Sequence, residues 1–166
     1  KFSTNVLIYD AQKINPSLFD FGTVNDFMTY RTTICSTLLE LHVTLTHMQD
    51  CLCILDGRFD QLRILYITFH HICFEFSETK HNQKLLTNLR IFSLCCEAKI
   101  YSYDKSIVPL LRRMLNLEEL DLNLIVKSYR KFIDGDTLKK DIITYIPRLY
   151  KFTFNICSII DHRDQN

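Results

Sequence analysis

Residues 116–126 read NLEELDLNLIV, and the apolar positions change step part-way along. Leu117 and Leu120 lie three apart, whereas Leu120, Leu122 and Leu124 lie two apart. A helix would keep returning at three and four, and a half-buried strand would alternate from its first residue. A turn feeding a strand satisfies both intervals. The first leucine packs in the turn, and the next two point inward from the strand, because strand side chains alternate. Glu119 and Asp121 then project to the opposite side.

The same spacing recurs along the chain, as Leu38, Leu41, Val43; Leu62, Leu65, Ile67; Leu89, Phe92, Leu94; and Leu149, Phe152, Phe154. Successive starts are 24, 27, 28 and 32 residues apart, close to a repeat period of about 20 to 29 residues. Segments between the strands carry helix signals. Ser106 is placed as an N-cap with Pro109 in the first turn. Asp136 is placed as a second cap, with Leu138, Ile142, Ile143 and Ile146 on one face and Pro147 as the stop. Asp56-Gly57 marks a turn before a short helix or turn segment, and residues 70–85 read as a loop.

This pattern resembles the leucine-rich repeat, L-x-x-L-x-L-x-x-N/C-x-L. The resemblance implies an α/β fold: a solenoid with a curved parallel sheet, helices on the convex side and irregular repeats. It covers residues 36–160 in about five units; residues 1–35 are a poorly defined portion or a worn repeat containing Val6 and Ile8, and 161–166 are a polar tail. Of the Asn or Cys expected three residues after the last core leucine, only Cys157 matches, with Ile159 in its place; Thr46 with Met48 is a substitute, and His70, Glu97 and Ile125 depart. The stretches LDGRFDQLRILYI, VPLLRRMLNLEELDL and FIDGDTLKKDIITYIPRLYKFTF are similar to the repeat region of F-box/leucine-rich-repeat-type proteins. In that group an F-box binds a cullin adaptor of a ubiquitin ligase while the repeats hold the substrate. No F-box is visible between Lys1 and Thr37, so any such segment is expected upstream of Lys1, which, not being Met, reads as the start of a piece or of a processed product.

Composition narrows the function classes. The 166 residues are 47% hydrophobic and 23% charged, which is ordinary for one globular domain. Twenty basic against nineteen acidic residues leave a net charge of +1, so neither nucleic acid nor anionic membrane is drawn to the chain as a whole. The sequence has neither the roughly 18-residue apolar run of a membrane span nor a signal-peptide pattern. Seven cysteines, Cys35, Cys51, Cys53, Cys73, Cys95, Cys96 and Cys157, lie in apolar segments, and no Asn begins a usable glycosylation acceptor. A reducing compartment, cytoplasmic or nuclear, is the expectation.

Catalytic and cofactor signals are weak. His42, His47, Cys51 and Cys53, with His70, His71 and Cys73, lack the Cys-x2-Cys spacing of a zinc loop, and no metal or cofactor is expected. No cysteine sits in a Gly-rich elbow, and Gly22, Gly57 and Gly135 form no phosphate-cradling loop. KSYRKF at 127–132 is followed by Asp134 and Asp136 and reads as a solvated loop rather than a phosphate grip. The chain is therefore read as non-enzymatic. The expected site is a concave sheet face built from Glu40, His42, Thr44; Ile64, Tyr66, Thr68; Ile91, Ser93, Cys95; Glu119, Asp121, Asn123; and Lys151, Thr153, Asn155. It suits a protein partner, with Tyr66 as anchor and Glu119 with Asp121 favouring a basic segment. An unrelated α/β domain with enzymatic or nucleic-acid-binding activity is the alternative.

Overall fold

The computed structural model describes residues 6–10, 38–47, 51, 52, 54–56, 59–73, 85–101, 103–128 and 132–160. Six strands, β1 (Val6–Asp10), β2 (Glu40–His47), β3 (Ile64–Cys73), β4 (Ile91–Ile100), β5 (Glu119–Ser128) and β6 (Lys151–Ile160), follow one another in a single sheet in chain order. All five ladders between them are parallel. Helix α1 (Tyr103–Leu111) joins β4 to β5. Helix α2 (Gly135–Asp141) and a 3-10 turn (Ile143–Tyr145) join β5 to β6. The protein is α/β, with an open parallel sheet.

The change of step at Leu117 has a backbone counterpart. Each of β2 to β6 begins two residues after the first leucine of its copy. The carbonyl of the residue between them accepts two hydrogen bonds from the next copy. Leu39 O accepts from Arg63 N at 2.9 Å and Ile64 N at 3.1 Å; Arg63 O, Arg90 O and Glu118 O repeat the arrangement toward Arg90 and Ile91, Glu118 and Glu119, and Tyr150 and Lys151. Side chains reinforce it: Asn88 Nδ2 reaches Asp60 O at 2.6 Å, and Asn116 Nδ2 reaches Thr87 O at 2.8 Å. An asparagine pair thus lies in the turn before the strand, not at the position after it where the sequence pattern leads one to look.

Register follows from these contacts, and burial follows from register. Leu41, Val43 and Leu45 on β2, Leu65, Ile67 and Phe69 on β3, Phe92, Leu94 and Cys96 on β4, and Leu120, Leu122 and Leu124 on β5 are all buried on one side. They form one cluster with Ile107, Leu110 and Leu111 of α1, Leu138 of α2, and Ile142 and Ile146 beside it. At about 1.5–3 kcal/mol per large side chain, this burial is the main favourable term. Arg112 ties the helical layer together, its guanidinium 3.9 Å from the Tyr145 ring centroid and its Nε donating to Asp141 O at 3.3 Å.

Several local expectations are corrected. α1 starts three residues before Ser106, because Tyr103 is itself buried; Ser106 lies inside the helix at 5% exposure, and Pro109 falls near its end. Asp134, not Asp136, caps α2, its Oδ1 accepting from Thr137 N at 2.8 Å. The chain leaves α geometry at Ile142, before Pro147, and this turns Ile143 outward to 40% exposure. Residues 70–73 belong to β3 rather than to a loop. The turn expected at Asp56 is present and a further turn at Asp60 and Gln61 leads into β3, as expected, while Cys51, Leu52 and Ile54 add a helical segment ahead of it; Gly57 lies outside the described residues. The fifth copy is not buried like the others: Phe154 is 53% exposed and Phe152 is only partly covered, since β6 is an edge strand with no described neighbour beyond it.

Two stability measurements check this account. Leu120→Ala, in a side chain 1% exposed, is expected to cost about 2–5 kcal/mol in urea unfolding. Asp134→Ala is expected to cost about 1 kcal/mol, and Asp136→Ala clearly less; the reverse order would return the cap to Asp136.

Candidate functional site

The strand positions between the buried residues form the sheet's other side. All twelve residues singled out there lie on it: Glu40, His42, Thr44, Tyr66, Thr68, Ser93, Glu119, Asp121, Asn123, Lys151, Thr153 and Asn155 are exposed or half-buried and alternate with core positions. The ladders place them in cross-strand rows. One runs Glu40, Ile64, Ile91, Glu119, Lys151; the next His42, Tyr66, Ser93, Asp121, Thr153; the third Thr44, Thr68, Cys95, Asn123, Asn155. With strands about 4.8 Å apart, each row spans roughly 19 Å from β2 to β6.

Within the rows the side chains hold one another. His42 Nε2 meets Glu40 Oε1 at 2.6 Å, and the His42 ring stacks on Tyr66 with centroids 4.3 Å apart and planes 16° from parallel. Ser93 Oγ donates to Asp121 Oδ2 at 3.3 Å. Asn155 Nδ2 donates to Asn123 Oδ1 at 3.2 Å, and Asn123 Nδ2 to Cys95 Sγ at 3.6 Å. Glu119 is engaged twice, by Lys151 Nζ at 2.7 Å and by the Tyr150 hydroxyl at 3.1 Å. Tyr150 was not visible as a site residue, because it precedes its strand and matches no face periodicity; only the cross-strand opposition of Glu119 and Lys151 hints at the cluster.

These contacts alter the roles of the two carboxylates. The hydrogen bonds from Lys151 and then Tyr150 hold the Glu119 carboxyl below the ordinary glutamate range, and bonding to Glu119 raises both partners. Glu119 is already paired within the chain. Among the described residues, Asp121 accepts only from Ser93 and pairs with no cation.

Cys95 and Cys96 are not activated as thiolates. Burial, followed by Glu97, raises the Cys95 thiol, and burial pushes Cys96 up to about 11, so both disfavour the thiolate. Cys51, Cys95, Cys96 and Cys157 are in no disulfide. Among the described residues, no three His, Cys, Asp or Glu side chains gather as a metal site; Cys53, the side chains of His47, His70, His71 and Cys73, and residues 129–131 of KSYRKF lie outside what the structure describes. A shallow cavity of about 300 Å³ sits where β4 gives way to α1, lined in part by Tyr101, Asp104, Lys105, Lys127 and Phe132. No described helix is long and apolar enough to cross a membrane.

Comparison with known proteins returned no matching family model, no matching curated protein and no matching solved structure. The functional reading therefore rests on the geometry of the sheet face itself.

The Glu119 contact has a pH signature. Its folded midpoint lies below the unfolded one, so the contact is fully formed above the ordinary carboxylate range and lost as pH falls through the lowered midpoint. A carboxyl-resolved NMR titration should find Glu119 titrating below the ordinary glutamate range, and Lys151→Met should move it upward; an unmoved midpoint would remove Lys151 as the leading cause.

Proposed function

We propose that this chain is a leucine-rich-repeat-like solenoid serving as a non-enzymatic interaction scaffold, and that the side of the sheet bearing Tyr66 and Asp121, concave in such a solenoid, receives another protein. The observation carrying this reading is the width and continuity of that face: outward positions of five consecutive strands stand in register, without a helix laid across them among the described residues. A surface about 19 Å across suits a polypeptide better than a small molecule, and its mixture of one aromatic pair, hydroxyls, amides and a few charges fits an interface with a small number of anchors.

The repeat reading draws support from the equivalent carbonyl pairs that link each copy to the next, since a stack of units placed only by their neighbours is what a solenoid is. Resemblance of the repeats to those of F-box proteins extends the proposal: with an F-box upstream, the scaffold would be the substrate-recognition part of a ubiquitin ligase subunit, tethered to a cullin adaptor. Cysteines set in apolar segments, four of them described and in no disulfide, agree with work in the cytoplasm or nucleus.

The test is affinity capture of the full-length product from its native cells, beside a Tyr66→Ala, Glu119→Gln, Asp121→Asn triple variant. The wild type should recover a partner that the variant recovers at least about tenfold less, with thermal unfolding little changed. Cullin adaptor in both samples would support the ligase assignment. Equal recovery of every partner by the two proteins would reject this face as the interface.

A further inference from the structure

The aromatic pair on this face is oriented in a way that leaves a place beside it. His42 and Tyr66 are direct cross-strand neighbours on β2 and β3, and such neighbours stand about 4.8 Å apart. Their ring centroids are 4.3 Å apart with planes nearly parallel, so the rings stand up from the sheet and stack along the cross-strand direction. His42 covers one face of Tyr66. The other looks toward β4, where the residue in register is Ser93, a side chain too short to cover a phenol ring. Tyr66 accordingly remains 36% exposed. Beyond Ser93, in the same row, stands Asp121.

Tyr66 and Asp121 are thus two strands, or about 10 Å, apart at the backbone, with a gap over Ser93 between them. One wall of that gap is the negative face of a π system, and the other is a carboxylate drawn toward it by the Ser93 hydroxyl. Both walls favour a cation. The ammonium of Lys151 is held at Glu119 Oε2, 2.7 Å away in the neighbouring row, which leaves Asp121 as the acceptor in this one.

We propose that the gap over Ser93 takes an arginine side chain from the protein partner, stacked on Tyr66 and paired with Asp121. This rests on the interaction-face reading above and names the chemistry that face selects. Arginine fits better than lysine: its guanidinium is planar and weakly hydrated, so it can lie against a ring while its edge N–H groups reach a carboxylate, whereas a compact ammonium gives up more hydration for less contact. Glu40 fixes His42, His42 backs Tyr66, and Ser93 orients Asp121, so both walls stand in place before a ligand arrives.

N-acetyl-arginine amide, N-acetyl-lysine amide and the neutral N-acetyl-norleucine amide, titrated into the isotope-labelled full chain and followed by NMR, supply the test. The arginine probe should give saturable shifts centred on Tyr66, Ser93 and Asp121, with ring-current displacement of its own side-chain protons. Lysine should bind at least about threefold more weakly, and norleucine should not perturb the site. Asp121→Asn should weaken arginine by about three- to tenfold, and Ser93→Phe, which fills the gap and removes the hydroxyl that orients Asp121, should abolish the shifts; spectra remote from the row verify that each variant is folded. Saturable binding unaltered by Asp121→Asn and Ser93→Phe, or no binding at these residues, would overturn the assignment. Its failure is separable from failure of the scaffold reading: a partner lost from the triple variant alongside a non-binding arginine probe would keep the interface and discard only the arginine.

Discussion

The fold depends on one shared acceptor repeated four times. A carbonyl immediately before each of β2 to β5, at Leu39, Arg63, Arg90 and Glu118, receives two N–H groups from the corresponding turn of the next copy. Parallel strands cannot be set by a tight hairpin, because the end of one and the start of the next lie at opposite ends of the sheet, so register must come from elsewhere. Here it comes from the turn. Once the first residues of a strand are pinned to the turn before, a slip of one residue would expose Leu120, Leu122 and Leu124 and bury Glu119, Asp121 and Asn123, an exchange of apolar for charged and amide groups that the core does not tolerate.

The same dependence explains why the last copy behaves differently. β6 is pinned to β5 through Glu118 O and keeps register over its whole length, yet Phe152, Phe154 and Ile156 are not enclosed as their equivalents are. Enclosure of a strand's inner side chains requires a further strand beyond it, whereas register requires only the previous one. The Phe152 and Phe154 rings, 5.2 Å apart, cover part of each other instead.

Strand positions were legible in the sequence because one interval, three and then two, encodes both the turn and the alternation. Helix limits were less legible. Ser106 is a good cap by residue type, but the burial of Tyr103 carries α1 past it, and Asp134 and Asp136 are equivalent as cap candidates until the geometry at Thr137 separates them. On the outer face, alternation was enough to say which residues share a side. It could not say which of them consume one another. Glu119 and Asp121 look alike in the string, and only the register that brings Lys151 opposite the first and Ser93 beside the second distinguishes them.

That distinction bears on how the proposed interface would bind. Exposed charged and aromatic side chains ordinarily lose rotamer freedom when a partner docks, at roughly 0.5–1.5 kcal/mol each. On this face much of that ordering precedes binding: Glu40 holds His42, His42 stacks on Tyr66, Tyr150 and Lys151 hold Glu119, and the Cys95, Asn123 and Asn155 side chains bond in sequence. The contacts are individually weak at a solvated surface and add little to folding stability. Their effect lies instead in orientation. A network that already joins Glu40 to His42 and Glu119 to Lys151 leaves fewer charged positions at which an incoming group gains a new bond, and selectivity for charge concentrates at those positions. Asp121, with one hydroxyl donor and an open approach over Ser93, is such a position, and its placement beside the uncovered face of Tyr66 gives the face a directional preference that its nearly balanced charge alone would not supply.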